Sequence, residues 1–364
     1  MRFPTVDGQR VSANIDEPLA IGMLRHAIDR GVNYVDTAYP YHGGQSEVVV
    51  GRALRDGYRD KVRLATKQPV WMVQSSADFD KFLDEQLKRL DTPYIDFYLL
   101  HSLNKSTWTD IVLKHDLLAR AKGALEDGRI RHLGFSFHDD YACFEQILNG
   151  SDLWDFCQIQ YNYVDVENQA GTRGLQLVAG KGVAVVVMEP LMGGRLADPP
   201  REVLEALAQS EVKRTPAEWA LEWLWDQSEV SVVLSGMSTM DQVEDNLRIA
   251  DRARAHAFSE ADQAVVNRAR ELYRARTIIP CTKCGYCMPC PTGLDIPANF
   301  DFFNYAHTFD DLPNARLRYQ MFFAESKRAG NCLACGSCEE LCPQHIPIME
   351  WMPKVEELLG TGSY

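Results

Sequence analysis

Short apolar runs alternate with amphipathic stretches along most of the chain. Runs at 32–36, 62–67, 95–101, 131–136, 156–161, 183–188 and 230–235 are rich in Val, Ile, Leu and aromatic residues and read as buried strands. Between them apolar positions recur at helical spacing, as at Leu19, Ile21, Leu24, Ala27 and Ile28. This pattern predicts helices near 16–30 (capped by Asp16), 46–55, 78–90, 110–127, 141–149, 169–180, 201–226 (as two), 240–250 and 259–274. Residues 1–14 are short and polar, with a turn at Asp7-Gly8. Such alternation means a parallel sheet with right-handed crossovers. Seven strands with polar residues at their C-terminal ends fit a (β/α)₈ TIM barrel better than a doubly wound sheet. No Gly-x-Gly-x-x-Gly follows any strand, which counts against a Rossmann domain.

Composition changes this picture at one end. The chain of 364 residues exceeds a typical single domain, and its apolar share of 46% suffices for a sizeable core. A barrel at 1–275 with an appendage at 276–364 is the natural division, because eight of the ten cysteines lie between Cys281 and Cys342. Only Cys143 and Cys157 fall in the barrel part. A net charge of −13 would repel phosphate, so nucleic acid and anionic membranes are not expected partners. There is no apolar run of membrane-spanning length and no signal-peptide core in MRFPTVDGQR, so a soluble, cytoplasmic protein is expected. Clustered cysteines in such a protein indicate metal rather than disulfides.

The candidate chemistry sits at the ends of the first three strands. Asp36 closes one, Tyr41 follows five residues later, Lys67 closes the next and His101 the third. A carboxylate at the end of an apolar strand is costly to bury unless a cation meets it, and Lys67 is the candidate. Glu47 opens the helix after Tyr41, a favourable place for an acid. Taken singly, these residues read as a structural ion pair, a loop aromatic and a core histidine. In order, they resemble the tetrad of the aldo-keto reductases, and the resemblance extends from 16 to about 274. It implies that Tyr41 is the general acid, that Lys67 lowers its pKa, that Asp36 anchors Lys67 and that His101 orients a carbonyl oxygen. It also implies that the first barrel strand is truncated. Residues 1–4 look like its tail, and the favoured reason is a chain that starts late.

The same resemblance implies a nicotinamide cofactor, NAD(H) or NADP(H). Ser136 in GFSFH and Gln158 in CQIQYN match the carboxamide-binding Ser and Gln, although Phe137 replaces the neighbouring Asn. Met188 stands where an aromatic usually covers the ring. The adenosine end falls at 234–246, with Ser238 and Asn246 among its candidate contacts. There Gly236 and Gln242 take the positions of the cations that hold a 2′-phosphate, so no preference for NADP is expected. Backbone amides at the following helix start remain available to a phosphate.

From 279 onward the chain reads Cys281-x₂-Cys284-x₂-Cys287-x₂-Cys290-Pro, then Cys332-x₂-Cys335-x₂-Cys338-x₃-Cys342-Pro. The second run is the bacterial-ferredoxin spacing for a [4Fe–4S] cluster, and the first is one residue shorter. Zinc is the alternative, although zinc sites more often pair two distant C-x₂-C knuckles. The tail resembles the dicluster ferredoxin module, mostly helical, with helices near 297–306 and 312–329. In such modules the fourth cysteine of each run ligates the other cluster. The resemblance thus implies Cys281, Cys284 and Cys287 with Cys342, and Cys332, Cys335 and Cys338 with Cys290.

The expected protein interconverts a small-molecule carbonyl and alcohol with nicotinamide and holds two [4Fe–4S] clusters for electron transfer. A hydride carries two electrons and a cluster passes one, and no flavin motif is visible to mediate between them. A ferredoxin or other carrier is therefore a candidate partner, and bracing of the tail is another role for the clusters. The alternative class is a redox-sensing or single-electron iron–sulfur protein that uses the barrel as a scaffold.

Overall fold

The computed structural model describes residues 2–8, 12–281 and 283–360. They pack as two compact units, Met1–Ala197 with Ala217–Phe258, and Asp198–Pro216 with Ser259–Tyr364.

The first unit is built on seven parallel strands: β1 (Tyr34–Asp36), β2 (Arg63–Gln68), β3 (Ile95–Leu103), β4 (Ile130–Phe137), β5 (Phe156–Gln160), β6 (Ala184–Met188) and β7 (Val232–Val233). Each is hydrogen-bonded to its successor in sequence order, as in a singly wound barrel. Seven strands lie where the apolar runs place them, although β7 is shorter than its run. The helices that alternate with them are α1 (Glu17–Asp29), α2 (Gln45–Ala53), α3 (Asp78–Leu90), α4 (Lys105–Thr107), α5 (Leu117–Glu126), α6 (Tyr141–Asn149), α7 (Gly171–Gly180), α8 (Arg201–Ala208), α9 (Pro216–Trp225) and α10 (Met240–Arg252). Asp16 caps α1 by accepting the Leu19 N–H, as its position before the apolar stripe predicts. The helix expected at 110–127 is broken. A π-helical run at Trp108–Leu113 is followed by Asp116 at φ 49°, and only then does α5 start.

Inside the strands, Ala65, Leu99, Phe156 and Val186 form a buried cluster contributed by β2, β3, β5 and β6. Register then sets the site. Gln68 pairs with Leu100, Ser136 with Gln158, and Gln160 with Met188, so the polar residues that close the strands emerge together at the C-terminal ends.

The second unit holds α8, α11 (Glu260–Ala275), α12 (Ile296–Thr308), α13 (Leu312–Phe322), α14 (Ser337–Glu340) and α15 (Ile348–Leu359). Its core gathers Ile279, Leu294, Phe300, Tyr319, Ile348 and Met352, and six of the tail cysteines pack against that core. The helix expected over 312–329 stops at Phe322 and gives way to two 3₁₀ turns. Sequence reading did not foresee α15, because Pro353 lies inside it and argues locally against a helix. Among the described residues no helix is long and apolar enough to cross a membrane.

Candidate active site and cluster-binding segment

Lys67 is fully buried at the end of β2, and its Nζ donates to three oxygens: Asp36 Oδ1 at 2.7 Å, Asp36 Oδ2 at 2.8 Å and Thr37 O at 2.7 Å. Burial opposes its charge, but Asp36 and Tyr41 outweigh burial and hold its pKa above the ordinary lysine value. The ammonium lies 4.9 Å from the centre of the Tyr41 ring. His101 meets Tyr41 edge-on at 5.9 Å, and the Trp71 ring stands 5.1 Å from His101. The structure therefore brings Asp36, Tyr41, Lys67 and His101 together.

One expectation is corrected. The Lys67 charge was expected to lower the Tyr41 pKa below that of a free phenol. Burial instead pushes it above the ordinary value, and Lys67 draws it back only in part. Such a phenol keeps its proton at neutral pH, the state a proton donor needs. Burial, reinforced by the Lys67 charge, drives His101 well below its ordinary value, so its imidazole is neutral. Its Nδ1 is buried without a hydrogen-bond partner among the described residues.

Glu47 begins α2 as expected, but its main role is not to complement the helix dipole. It is buried, and its Oε1 accepts from Thr66 Oγ1 and Gln86 Nε2, each at 2.6 Å, while Arg89 approaches Oε2 at 3.3 Å. Gln86 also donates to Lys67 O at 3.0 Å, so this network fixes the backbone that carries the lysine. Sequence reading missed Gln86 and Thr66, because their partners lie on three different elements. His42 was also missed. Its Nδ1 donates to Ser12 O at 2.8 Å and its Nε2 accepts the Phe3 N–H at 3.1 Å, tying the N-terminal segment to the loop after Tyr41.

The carboxamide candidates are adjacent. Ser136 Oγ accepts the Ser102 N–H at 2.7 Å, which leaves its own proton to donate. Gln158 Nε2 donates to Met188 Sδ at 3.4 Å, and Gln158 Oε1 is buried without a partner among the described residues. A buried, unsatisfied carbonyl oxygen is costly, and a ligand N–H would satisfy it. These residues thus fit the amide end of a nicotinamide. Phe137 is buried against Phe144 at 5.0 Å and belongs to the packing. At the other end, Gln242 folds back so that its Oε1 accepts the Ser238 N–H at 2.9 Å, and Asn246 Nδ2 donates to Ser235 Oγ at 2.8 Å. Ser238, on the loop between β7 and α10, and Gln242, in the first turn of α10, are both exposed.

In the second unit the eight cysteines line two adjoining cavities. One is lined by Cys281, Cys284, Cys287 and Cys342, the other by Cys287, Cys290, Cys332, Cys335 and Cys338. Among the described residues no three His, Cys, Asp or Glu side chains gather closely enough to hold a single metal ion. Thiols spread around a cavity suit a cluster, whose ligand positions are separated by the cluster itself, better than a tetrahedral ion.

Polar groups converging at the C-terminal ends of parallel strands, joined in one chain to a cysteine-lined segment, define a barrel oxidoreductase with an iron–sulfur appendage. The chain belongs to the aldo/keto reductase family, whose model matches residues 5–266, and it carries a 4Fe-4S dicluster domain, matched at 280–346. It is similar to the NADH-specific methylglyoxal reductase of Escherichia coli, with 26% identity over 289 residues covering 66% of this chain and 85% of that protein. It is also similar to the probable aldo-keto reductase 1 of Glycine max, with 25% identity over 273 residues covering 64% and 75%. Two solved structures share the fold at a TM-score of 0.58. One is the holo form of an aldo-keto reductase from Bacillus halodurans, 27% identical and covering 70% of this chain and 87% of that one. The other is an aldo/keto reductase from Klebsiella pneumoniae in complex with NADP and acetate, 26% identical and covering 69% and 85%.

Proposed function

We propose that this cytoplasmic oxidoreductase interconverts a small carbonyl compound and its alcohol, with Tyr41 as proton donor and acceptor. The observation that carries this reading is the buried Lys67, bridged to Asp36 and set against Tyr41. A barrel serving only as a scaffold has no need of a buried ammonium, which costs several kcal/mol to desolvate. A nicotinamide, when bound, would supply the hydride. Neutral His101 turns a ring nitrogen towards the carbonyl oxygen, and Tyr41 delivers the proton to that oxygen as the alcohol forms. Trp71, 45% exposed, forms an open apolar wall beside them. Ser136 and Gln158 would hold the carboxamide, and Met188 would lie against the ring. The loop after β7 and the first turns of α10 face the adenosine end without a cation at Gly236 or Gln242, so NADH binds at least as well as NADPH. The NADH-specific relative in Escherichia coli supports that choice and a small carbonyl substrate.

The tail is proposed to hold two [4Fe–4S] clusters, with crossed ligation, that exchange electrons with an external carrier such as a ferredoxin. The decisive experiment uses the anaerobically reconstituted chain, titrated with NADH and NADPH and assayed for reduction of small aldehydes and dicarbonyls. Binding of either nucleotide with turnover supports the reading; absence of nucleotide binding removes it.

A further inference from the structure

The two cysteine-lined cavities differ in what hydrogen-bonds to their sulfurs. Thr292 Oγ1 lies 3.3 Å from Cys290 Sγ, and Ser337 Oγ lies 3.7 Å from Cys335 Sγ. A thiolate bound to iron carries no proton and can only accept, so both hydroxyls become donors. The backbone keeps the same spacing. The Ala334 N–H donates to Cys332 Sγ at 3.4 Å, and the Ser337 N–H serves Cys335. Each donor stands two residues after the cysteine that it serves. The positions two residues after Cys281, Cys284, Cys287 and Cys342 hold Lys283, Tyr286, Pro289 and Gln344. There the Lys283 N–H serves Cys281, but Pro289 has no N–H to offer Cys287. Among the described residues no side-chain hydroxyl bonds to any of these four sulfurs. A cysteine's own N–H contributes on both sides, at Cys287, Cys335 and Cys338.

Reduction adds negative charge to a cluster, and donors aimed at its ligand sulfurs stabilise that charge. We propose that the Thr292 and Ser337 hydroxyls set the cluster on Cys290, Cys332, Cys335 and Cys338 at a higher reduction potential than its neighbour on Cys281, Cys284, Cys287 and Cys342. This rests on the proposed reading of two [4Fe–4S] clusters with crossed ligation. Two charges work against the order. Lys283 beside Cys281 favours the reduced state of the first site, and Glu339 beside Cys338 disfavours that of the second. Each already has another partner: Lys283 Nζ meets Asp301 at 2.7 Å, and Glu339 Oε1 accepts the Met349 N–H at 2.7 Å. Lys283 and Asp301 are both exposed, so solvent screens them as well. The hydroxyls touch the ligand sulfurs themselves and decide the sign. An electron given up by an external one-electron carrier therefore comes to rest between the second cysteine run and Cys290. The carrier is oxidised by one electron, the cluster is reduced by one, and no bond forms or breaks.

The test is a redox titration of the anaerobically purified full chain with dithionite and mediators, followed by electron paramagnetic resonance. It compares wild type with Thr292→Val, Thr292→Ser and Ser337→Ala. Cys281→Ser, which keeps only the cluster of the second run, assigns the signals. Wild type is expected to show two one-electron steps, the upper one matching the signal kept in Cys281→Ser. The electron should favour that cluster at least tenfold, a separation of about 59 mV. Thr292→Val should cut this preference about tenfold by lowering the upper step alone, while Thr292→Ser keeps it. Ser337→Ala, at an exposed position with a longer contact, should lower the same step by less. Coincident steps in wild type, or an upper step belonging to the cluster lost in Cys281→Ser, overturn the inference and leave the cluster reading intact. Potentials unmoved in both Thr292→Val and Ser337→Ala also overturn it. A wild type that holds no iron–sulfur cluster removes both readings.

Discussion

Lys67 shows how much one side chain can fix. Its three acceptors come from Asp36 and Thr37, so the end of β1 and the end of β2 are clamped through a single ammonium. Tyr41→Phe removes the proposed proton donor and little else. It is expected to lower carbonyl reduction by a factor on the order of 10²–10⁴ while the NADH dissociation constant stays near wild type. Steady-state rates and a nucleotide titration check this, and unaltered turnover would remove the assignment. The pH dependence follows from the shifts. Reduction needs Tyr41 protonated, and burial raises its pKa above the ordinary value, so protonation is lost only at alkaline pH. His101 is held neutral until well below its ordinary value. The rate of reduction should therefore hold level from about pH 6.5 to about 10, while alcohol oxidation, which needs the phenolate, climbs across the same range. A break in the reduction profile at the ordinary histidine pKa would contradict the buried, neutral His101. That Asp36, Tyr41, Lys67 and His101 come together was legible in the sequence, because each lies at or near the end of a strand or follows one at a fixed spacing. His42 was not, because its partners Phe3 and Ser12 lie about thirty to forty residues earlier in the chain, and no local spacing encodes that approach.

Among the elements, legibility tracks how far local pattern alone decides structure. The spans of α3 and α6 coincide with their apolar periodicity, since each buries one stripe on the sheet. The stretch at 110–127 fails because its continuous pattern hides a left-handed residue, Asp116, that periodicity cannot report. The α2–α3 contact rests on a different signal, the absence of a side chain. A Cβ on Gly51 of α2 would stand 2.7 Å from Arg89 O and 2.8 Å from Leu90 C, at the end of α3. Gly51→Ala therefore has to push the two helices apart, although alanine is the better helix former. It is expected to destabilise the barrel by about 1–3 kcal/mol, the cost of overpacking a tight contact. Gly123, inside α5, meets nothing within 4 Å, so Gly123→Ala should instead stabilise by up to about 1 kcal/mol. Urea denaturation of the two variants in parallel, followed by circular dichroism, checks the opposite signs. A stabilising Gly51→Ala would mean that the α2–α3 approach is looser than these distances.

At the scale of the whole chain, two parts with unlike stabilising chemistry are joined. The barrel unit builds its interior from the strands themselves, whereas the tail packs six cysteines against a modest helical core, an arrangement that leaves much of its order to a bound group. The cysteine spacing made that group legible, but the pairing between runs depends on how the segment folds back. Cys342 lines the cavity of Cys281, Cys284 and Cys287, while Cys290 lines that of Cys332, Cys335 and Cys338. That placement supports crossed ligation, and Cys287, which borders both cavities, sets the two sites side by side. Anaerobically purified protein is therefore expected to contain about eight irons and eight sulfides per chain. Four irons would mean a single cluster, and stoichiometric zinc without sulfide would end the cluster assignment. The crossing has its own test. Cys281→Ser and Cys342→Ser should each lose the same cluster, about four irons, and leave the same electron paramagnetic resonance spectrum. Cys332→Ser and Cys290→Ser should lose the other. If crossing holds, the double variant of Cys281 and Cys342 loses no more iron than either single change, because both removals act on one cluster. If each run instead closed its own cluster, that double variant would strip both, and the iron content would fall towards zero.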